Sequence, residues 1–237
     1  MAELNIIIPT LNEANYITNC LRSIKENAID LHRLEILVID SGSSDETISL
    51  IDPDCKVFHH PELKGSKYRT LNQGAFYAQG KILLFLDADT LVPPGFDQLI
   101  FDAVADKKTV GGAFEFAFIE KHPLLKAIQL TNRFRYRVRQ SYYGDQGVFV
   151  KSTALKKVGG FPPVKIMETA LLCRKLKSTG RLKLIRKPSK TSARRFIRGG
   201  ILKIYLFDMV IWLRAIFGLP IQHHAPDYWK ENEISFN

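Results

Sequence analysis

The sequence predicts an α/β domain built on a mostly parallel sheet flanked by helices, and three observations carry that reading. Short, β-branched apolar runs recur at residues 4–8 (LNIII), 35–39 (EILVI) and 82–86 (ILLFL); runs of this kind are typical of strands buried on both faces. Stretches with apolar residues at helical spacing alternate with them, and such alternation predicts a parallel sheet with helices on both sides. Each run also ends in a polar cluster: Pro9-Thr10-Asn12-Glu13, Asp40-Ser41, and Asp87 with Asp89. Ligands of such sheets bind beyond the carboxyl ends of the strands.

Taken in order, the first run ends at Pro9, and Ala14 to Asn27 places Tyr16, Ile17, Cys20, Leu21 and Ile24 on one helical face. After the second run, SGSSDET offers Ser43 or Ser44 as a cap for a following helix, with Asp45 and Glu46 in its first turn. Val57–His59 reads as a third, short strand, 66–79 as a helix ending near Gly80, and 82–86 as the most apolar strand. Residues 110–118 (VGGAFEFAF) alternate like a strand. Residues 123–140 read as a helix, although Arg133, Arg135, Arg137 and Arg139 at every second position would share one face of a strand. Gly147–Val150 is a further strand candidate, and 165–180 a helix ended by Gly180. Residues 201–217 form an apolar C-terminal helix interrupted by Lys203, Asp208 and Arg214. That run is shorter than the roughly 20 residues of a bilayer span, so a docked or interfacial helix is expected.

At 237 residues, with no repeat or linker, the chain is expected to form one domain. It divides into residues 1–120, residues 121–200, and a C-terminal helix and tail over 201–237. The apolar content of 46% excludes global disorder. Cys20, Cys55 and Cys173 are far apart and form no metal or redox motif, which fits a reducing compartment. The start lacks the pattern of a secretory leader, so a cytoplasmic location, peripheral at the inner face of the membrane, is the expectation. Charge is unevenly placed: 10 Lys/Arg against 18 Asp/Glu in residues 1–120, but 24 against 6 in residues 121–237. The basic half suits an anionic partner, such as nucleic acid, a phosphorylated substrate or an acidic membrane surface, or is a solvated face.

Absent motifs narrow the chemistry. No GxxxxGK[ST] or GxGxxG follows the first strand, and no GxSxG elbow is present, which argues against P-loop, dinucleotide-binding and serine-hydrolase readings. No nucleic-acid-binding motif accompanies the basic charge. Asp87-Ala88-Asp89 at a strand end can hold a hard divalent cation, Mg2+ or Mn2+, that bridges diphosphate oxygens. An aspartate here could instead be a plain helix N-cap. Asp40 could accept the imide N–H of a uracil or serve only as a turn residue. Lys67 and Arg69, at the start of the helix before the 82–86 strand, could approach a diphosphate or be solvated helix charges.

The ordered set IIIPTLNE, VIDSGSSDET, ILLFLDADT, YGDQGVFV, VGGFPPVKIME and SARRF resembles the family 2 glycosyltransferases of GT-A fold, over about residues 4–200. It is most similar to a bacterial subgroup that shares the GDQ and MED-type segments. The resemblance implies that Pro9, Thr10, Asn12 and Glu13 shape a nucleotide pocket, and that Asp40 reads the base. It places Asp87 at the ribose and Asp89, with Asp87, at the metal. It sets Gly144-Asp145-Gln146 near acceptor and donor sugar, and Arg194-Arg195-Phe196 near the diphosphate, and so implies that 1–120 is the nucleotide-sugar-binding half and 121–200 the acceptor half. The implied reaction is an inverting displacement from a nucleotide-diphosphate sugar, uridine being expected, in which a carboxylate removes the acceptor proton.

One departure stands out: relatives carry Met-Glu-Asp and a further acid two places on, where this chain has Met167-Glu168-Thr169-Ala170-Leu171. Threonine cannot act as a base at neutral pH, so Glu168 or Asp145 must serve, or the protein binds donor without efficient turnover. The acceptor is expected to be anionic or lipid-linked, with membrane-surface contact through 201–217, and self-association stays open.

Overall fold

The structure is a computed structural model that describes residues 2–139 and 141–228. One eight-stranded sheet organises it, with strands β1 (Leu4–Thr10), β2 (Leu34–Asp40), β3 (Lys56–His59), β4 (Ile82–Phe85), β5 (Thr90–Leu91), β6 (Thr109–Phe118), β7 (Val148–Lys151) and β8 (Arg181–Thr191) in spatial order 3-2-1-4-7-6-8-5. The expected parallel arrangement holds for β3, β2, β1 and β4. The second half is mixed: β7 runs antiparallel to both β4 and β6, whereas β6 and β8 are parallel.

The period of two along the apolar runs builds two cores. Ile6, Ile8, Ile36, Val38, Ile82 and Leu84 face one side, where helices α1 (Ile17–Asn27) and α3 (Phe96–Ala105) bury Ile17, Cys20, Ile24, Phe96 and Ile100. Ile7, Leu37, Ile39, Leu83 and Phe85 face the other side. That side is covered by α2 (Lys67–Tyr77), α4 (Pro123–Arg139), α5 (Ser152–Lys157) and α6 (Glu168–Leu176). Two further helices, α7 (Arg194–Gly199) and α8 (Ile201–Ile216), follow β8, and a 3-10 turn at Gln222–His224 comes after them. Among the described residues no helix is long and apolar enough to cross a membrane. All three cysteines are buried thiols.

Two expectations need correction, and one element was not foreseen. SGSSDET leads into a single 3-10 turn, Ile48–Leu50, rather than a helix. Its side chains are spent elsewhere: Asp45 accepts from the backbone N–H groups of Thr47 and Ala14, and Ser43 from that of Asn12. The helix expected over 165–180 is shorter, beginning at Glu168 after Met167 in left-handed geometry (φ 66°) and ending at Leu176. Strand β8 has no counterpart in the sequence reading. Its basic stretch alternates buried and exposed positions only irregularly, because a bulge between the Phe114–Ile185 and Glu115–Pro188 pairs loops out Arg186 and Lys187. The 123–139 segment is helical, so Arg133 and Arg137 share a face by four-residue spacing and both reach the buried Glu115 on β6.

Where β6 crosses β7 and β8, Gly112 is obligatory: a Cβ there would meet the Lys183 carbonyl oxygen at 1.9 Å and the Phe149 ring at 2.6 Å. Gly112→Ala is therefore expected to lose about 2–3 kcal/mol of stability in urea unfolding; an unchanged midpoint would contradict this packing.

Candidate active site

The carboxyl ends of β2, β1 and β4 lie side by side, with Thr10 opposite Asp40 and Ile7 opposite Phe85. The loops that leave these strands carry the polar clusters. Asp40 is fully buried and accepts from Thr10 Oγ1 (3.1 Å), the Gly42 and Ser43 N–H groups (3.0 Å each), Ser43 Oγ and His59 Nδ1 (2.9 Å). Burial pushes its carboxyl up, but the hydrogen bonds from Ser43, Gly42 and His59 outweigh it and hold the group below the ordinary aspartate value. Both oxygens are thus occupied, and Asp40 acts as the post around which the 41–44 loop is wound. Asn12, in left-handed geometry (φ 57°), stitches the neighbouring loop to it through Ser44 N–H (2.8 Å). Glu13 N–H donates to Thr47 Oγ1 (2.7 Å).

Beyond β1 and β4 stand three carboxylates and two cations. Lys67 Nζ, at the start of α2, contacts both oxygens of Asp87 at 2.7 and 2.8 Å. Arg194, at the start of α7, grips Glu13 with two hydrogen bonds of 2.7 Å and reaches Asp89 through Nε at 3.2 Å. Its guanidinium also lies over the Tyr16 ring, 4.4 Å from the centroid. Burial is the main cause that raises the Glu13 carboxyl to about 7; Arg194 opposes it, and Asp89 and Asp87 add to it. Burial likewise pushes Asp89 up against the pull of Arg194. Lys67 is desolvated, yet Asp87 and Glu168 hold it firmly charged. Among the described residues no group of three His, Cys, Asp or Glu could hold a metal, so a cation here would need ligand oxygens besides the aspartates.

A cavity of about 170 Å3 opens beside the Lys67–Asp87 pair. Asp145, Glu168, Arg195 and Asp208 line it with them. Gly144 fits tightly here: a Cβ would stand 3.1 Å from Asp87 Oδ2 and 3.2 Å from Lys67 Nζ. Glu168, buried in the first turn of α6, has its carboxyl pushed up by desolvation, against the attraction of Lys67. Arg195 pairs with Asp208 of α8 through two hydrogen bonds of 2.8 and 2.9 Å and lies 4.0 Å from the centroid of the Tyr228 ring.

The fold therefore gathers Thr10, Asn12, Glu13, Asp40, Lys67, Asp87, Asp89, Asp145, Glu168, Arg194 and Arg195 around one region, with Pro9 in the strand below. Ala88 is a buried core residue between the aspartates. Arg69 is the exception: it is exposed and reaches the Glu62 carbonyl at 3.4 Å, because two residues along α2 turn it away from Lys67. The sequence reading missed Asp208, Trp212 and Tyr228 as cavity residues. The lone acid in the 201–217 apolar run was the available signal, since such an acid needs a partner.

Because the raised Glu13 carboxyl favours the protonated folded state, its stabilising contribution is complete below about 4.5 and is lost as pH rises to about 7. In metal-free buffer, wild type is thus expected to lose stability relative to Glu13→Gln across that interval, with a constant gap above it. Urea unfolding as a function of pH checks this, and a pH-independent gap would contradict the assignment.

Residues 5–157 match the model of glycosyl transferase family 2. Poly(ribitol-phosphate) beta-N-acetylglucosaminyltransferase TarS of Staphylococcus aureus is 26% identical over 181 residues, covering 73% of this chain but 28% of TarS. A mannosyltransferase of Pyrobaculum calidifontis, solved with GDP-Man and Mn2+, superposes with a TM-score of 0.63 at 26% identity, over 80% of this chain and 56% of that one. The S. aureus TarS 1–349 structure with UDP-GlcNAc matches in fold, with a TM-score of 0.64 at 21% identity over 82% of this chain and 59% of that one. The chain thus spans little more than a quarter of the TarS protein and just over half of the mannosyltransferase chain. With its GT-A-like sheet and the strand-end carboxylates in place, the chain belongs to glycosyl transferase family 2.

Proposed function

We propose that this glycosyltransferase moves a sugar from a nucleotide-diphosphate donor, a uridine one first, to an acceptor hydroxyl with inversion at the anomeric carbon. The observation that carries the reading is the array of Glu13, Asp87 and Asp89 held against Lys67 and Arg194, beside a cavity that contains Asp145 and Glu168. Relatives solved with UDP-GlcNAc and with GDP-Man support a nucleotide sugar as donor class.

Asp87 and Asp89 alone could serve a hard cation, since Mg2+ or Mn2+ commonly needs only one or two carboxylates, the rest coming from phosphate and water. Asp89, with Asp87, would hold it, and when bound it would neutralise charge on the leaving diphosphate. Lys67 and Arg194 supply the nearest positive side chains of the protein to the same charge. With Asp40 fully engaged, the base would be read by the loop that Asp40 holds in shape.

We assign Glu168 as the general base. Burial raises its proton affinity, which suits proton abstraction near neutrality. As the acceptor oxygen bonds to the anomeric carbon, its proton passes to the Glu168 carboxylate. The bond to the diphosphate breaks, and its electron pair leaves with the nucleoside diphosphate. Asp145 orients the acceptor.

Release of nucleoside diphosphate from a panel of UDP- and GDP-sugars tests this. Glu168→Gln should lower turnover by about 10²-fold or more, the usual scale of general-base loss, and Asp145→Asn should lower it less. A second reading, a donor-binding protein with impaired turnover, rests on Thr169, whose hydroxyl lies 3.4 Å from Glu168 Oε1. A large gain of transfer in Thr169→Asp would favour that reading over ours.

A further inference from the structure

Helix α8 has two unlike faces. One carries Ile204 and Ile211 into the protein and presents Asp208, Ile211 and Trp212 to the cavity. The other carries Leu202, Leu206, Val210, Leu213 and, just past the helix end, Phe217. These five are between 43% and 75% exposed, and their spacing of four, four, three and four residues makes one continuous stripe, about 22 Å long. At 100° per residue, Lys203 and Arg214 fall along a single edge of that stripe. The apolar surface extends beyond α8. A cleft of about 130 Å3 between α4 and α8 is lined by Leu124, Ala127, Ile128, Thr131, Ile201, Leu202 and Tyr205. On α4, Leu130 and Phe134 are exposed as well. Scattered exposed leucines are ordinary, but a contiguous apolar face on two packed helices is not.

We infer that this α4–α8 face docks the protein on the surface of an anionic bilayer. Charge selects the occupant: the face belongs to the half of the chain with 24 Lys/Arg against 6 Asp/Glu. An apolar stripe edged with Lys and Arg matches the interfacial zone of an acidic leaflet, with acyl chains under the stripe and anionic headgroups along its basic edge. Among the described residues no helix is long and apolar enough to cross a membrane, and the stripe runs along one side of α8, so this contact lies along the surface. The consequence for the site is direct. Because α8 walls the cavity through Asp208 and Trp212 on the side away from the stripe, docking would hold the cavity about one helix diameter, roughly 10 Å, from the bilayer surface, where an acceptor carried on a lipid can reach it. This consequence rests on the proposed transfer, whereas the docking does not.

The test is flotation of the full chain with vesicles of phosphatidylcholine alone and with roughly one-third phosphatidylglycerol. Wild type should float with the acidic vesicles and at least tenfold less with the neutral ones. The double variant Leu206→Glu, Leu213→Glu should stay in the bottom fraction while melting at the wild-type temperature, since both side chains are exposed. Lys203→Ala should weaken partitioning about fivefold, the scale for one basic residue near an acidic surface. Equal binding to both vesicle types, or none to either, would overturn the proposal. So would a wild-type dimer in solution that the double variant dissociates, because the stripe would then belong to a second copy. Donor-dependent nucleotide release in the absence of vesicles is read separately, so failure of docking and failure of the transfer reading are distinguishable.

Discussion

Carboxylates placed at the ends of buried strands cannot be left without countercharge, and that constraint shapes most of this molecule. A charge taken out of water costs several kcal/mol unless it is paired or hydrogen-bonded. The parallel half of the sheet delivers four such groups: Glu13, Asp40, Asp87 and Asp89. Asp40 is satisfied locally, by its own loop and His59. Asp87 needs Lys67 from the helix before its strand, and Glu13 and Asp89 need Arg194, which lies 181 residues beyond Glu13. Bringing Arg194 there requires the last strand to return to the sheet. It does so where β5 pairs with β8, Thr90 opposite Thr191, and Ser192 N–H donates to the Asp89 carbonyl.

The lopsided charge of the chain acquires an internal meaning in this light. The acidic first half and the basic second half fold against each other, and Arg194–Glu13, Arg194–Asp89 and Arg137–Glu115 are pairs across that divide. These pairs use only part of the basic excess. What is left over lies on the outer elements of the second half, where α8 joins a polar inner face to an apolar outer one.

Legibility in the sequence followed burial. Strands β1, β2 and β4 were readable because both faces of each are covered, so residues 6–8, 36–39 and 82–85 are apolar without a break. The polar ends of these runs brought Asp40, Asp87 and Asp89 into view, but each left a plain alternative open, a turn for Asp40 and a helix cap for the other two, and only the family resemblance gave them roles. Strand β8 was not readable, as its bulge and Pro188 break the alternation and long basic side chains fill its exposed face. The SGSSDET segment misled because the groups that cap helices, Ser43, Asp45 and Thr47, can equally bind a neighbouring loop, and only the fold decides. Arg69 misled for a simpler reason: two residues on a helix point in different directions. Asp208, as a lone acid in an apolar run, signalled the need for a partner, but local sequence does not encode that the partner is Arg195 or that Tyr228 joins them at the cavity.

The central claim is that the paired carboxylates form a donor site that takes a nucleoside diphosphate with a divalent cation. Calorimetric titration with UDP and GDP, each with and without Mn2+, compares wild type and Asp89→Ala most directly. Binding of UDP that requires Mn2+ and disappears in Asp89→Ala is the predicted result. Binding that is indifferent to both the cation and Asp89, or no binding of either nucleotide, would contradict it.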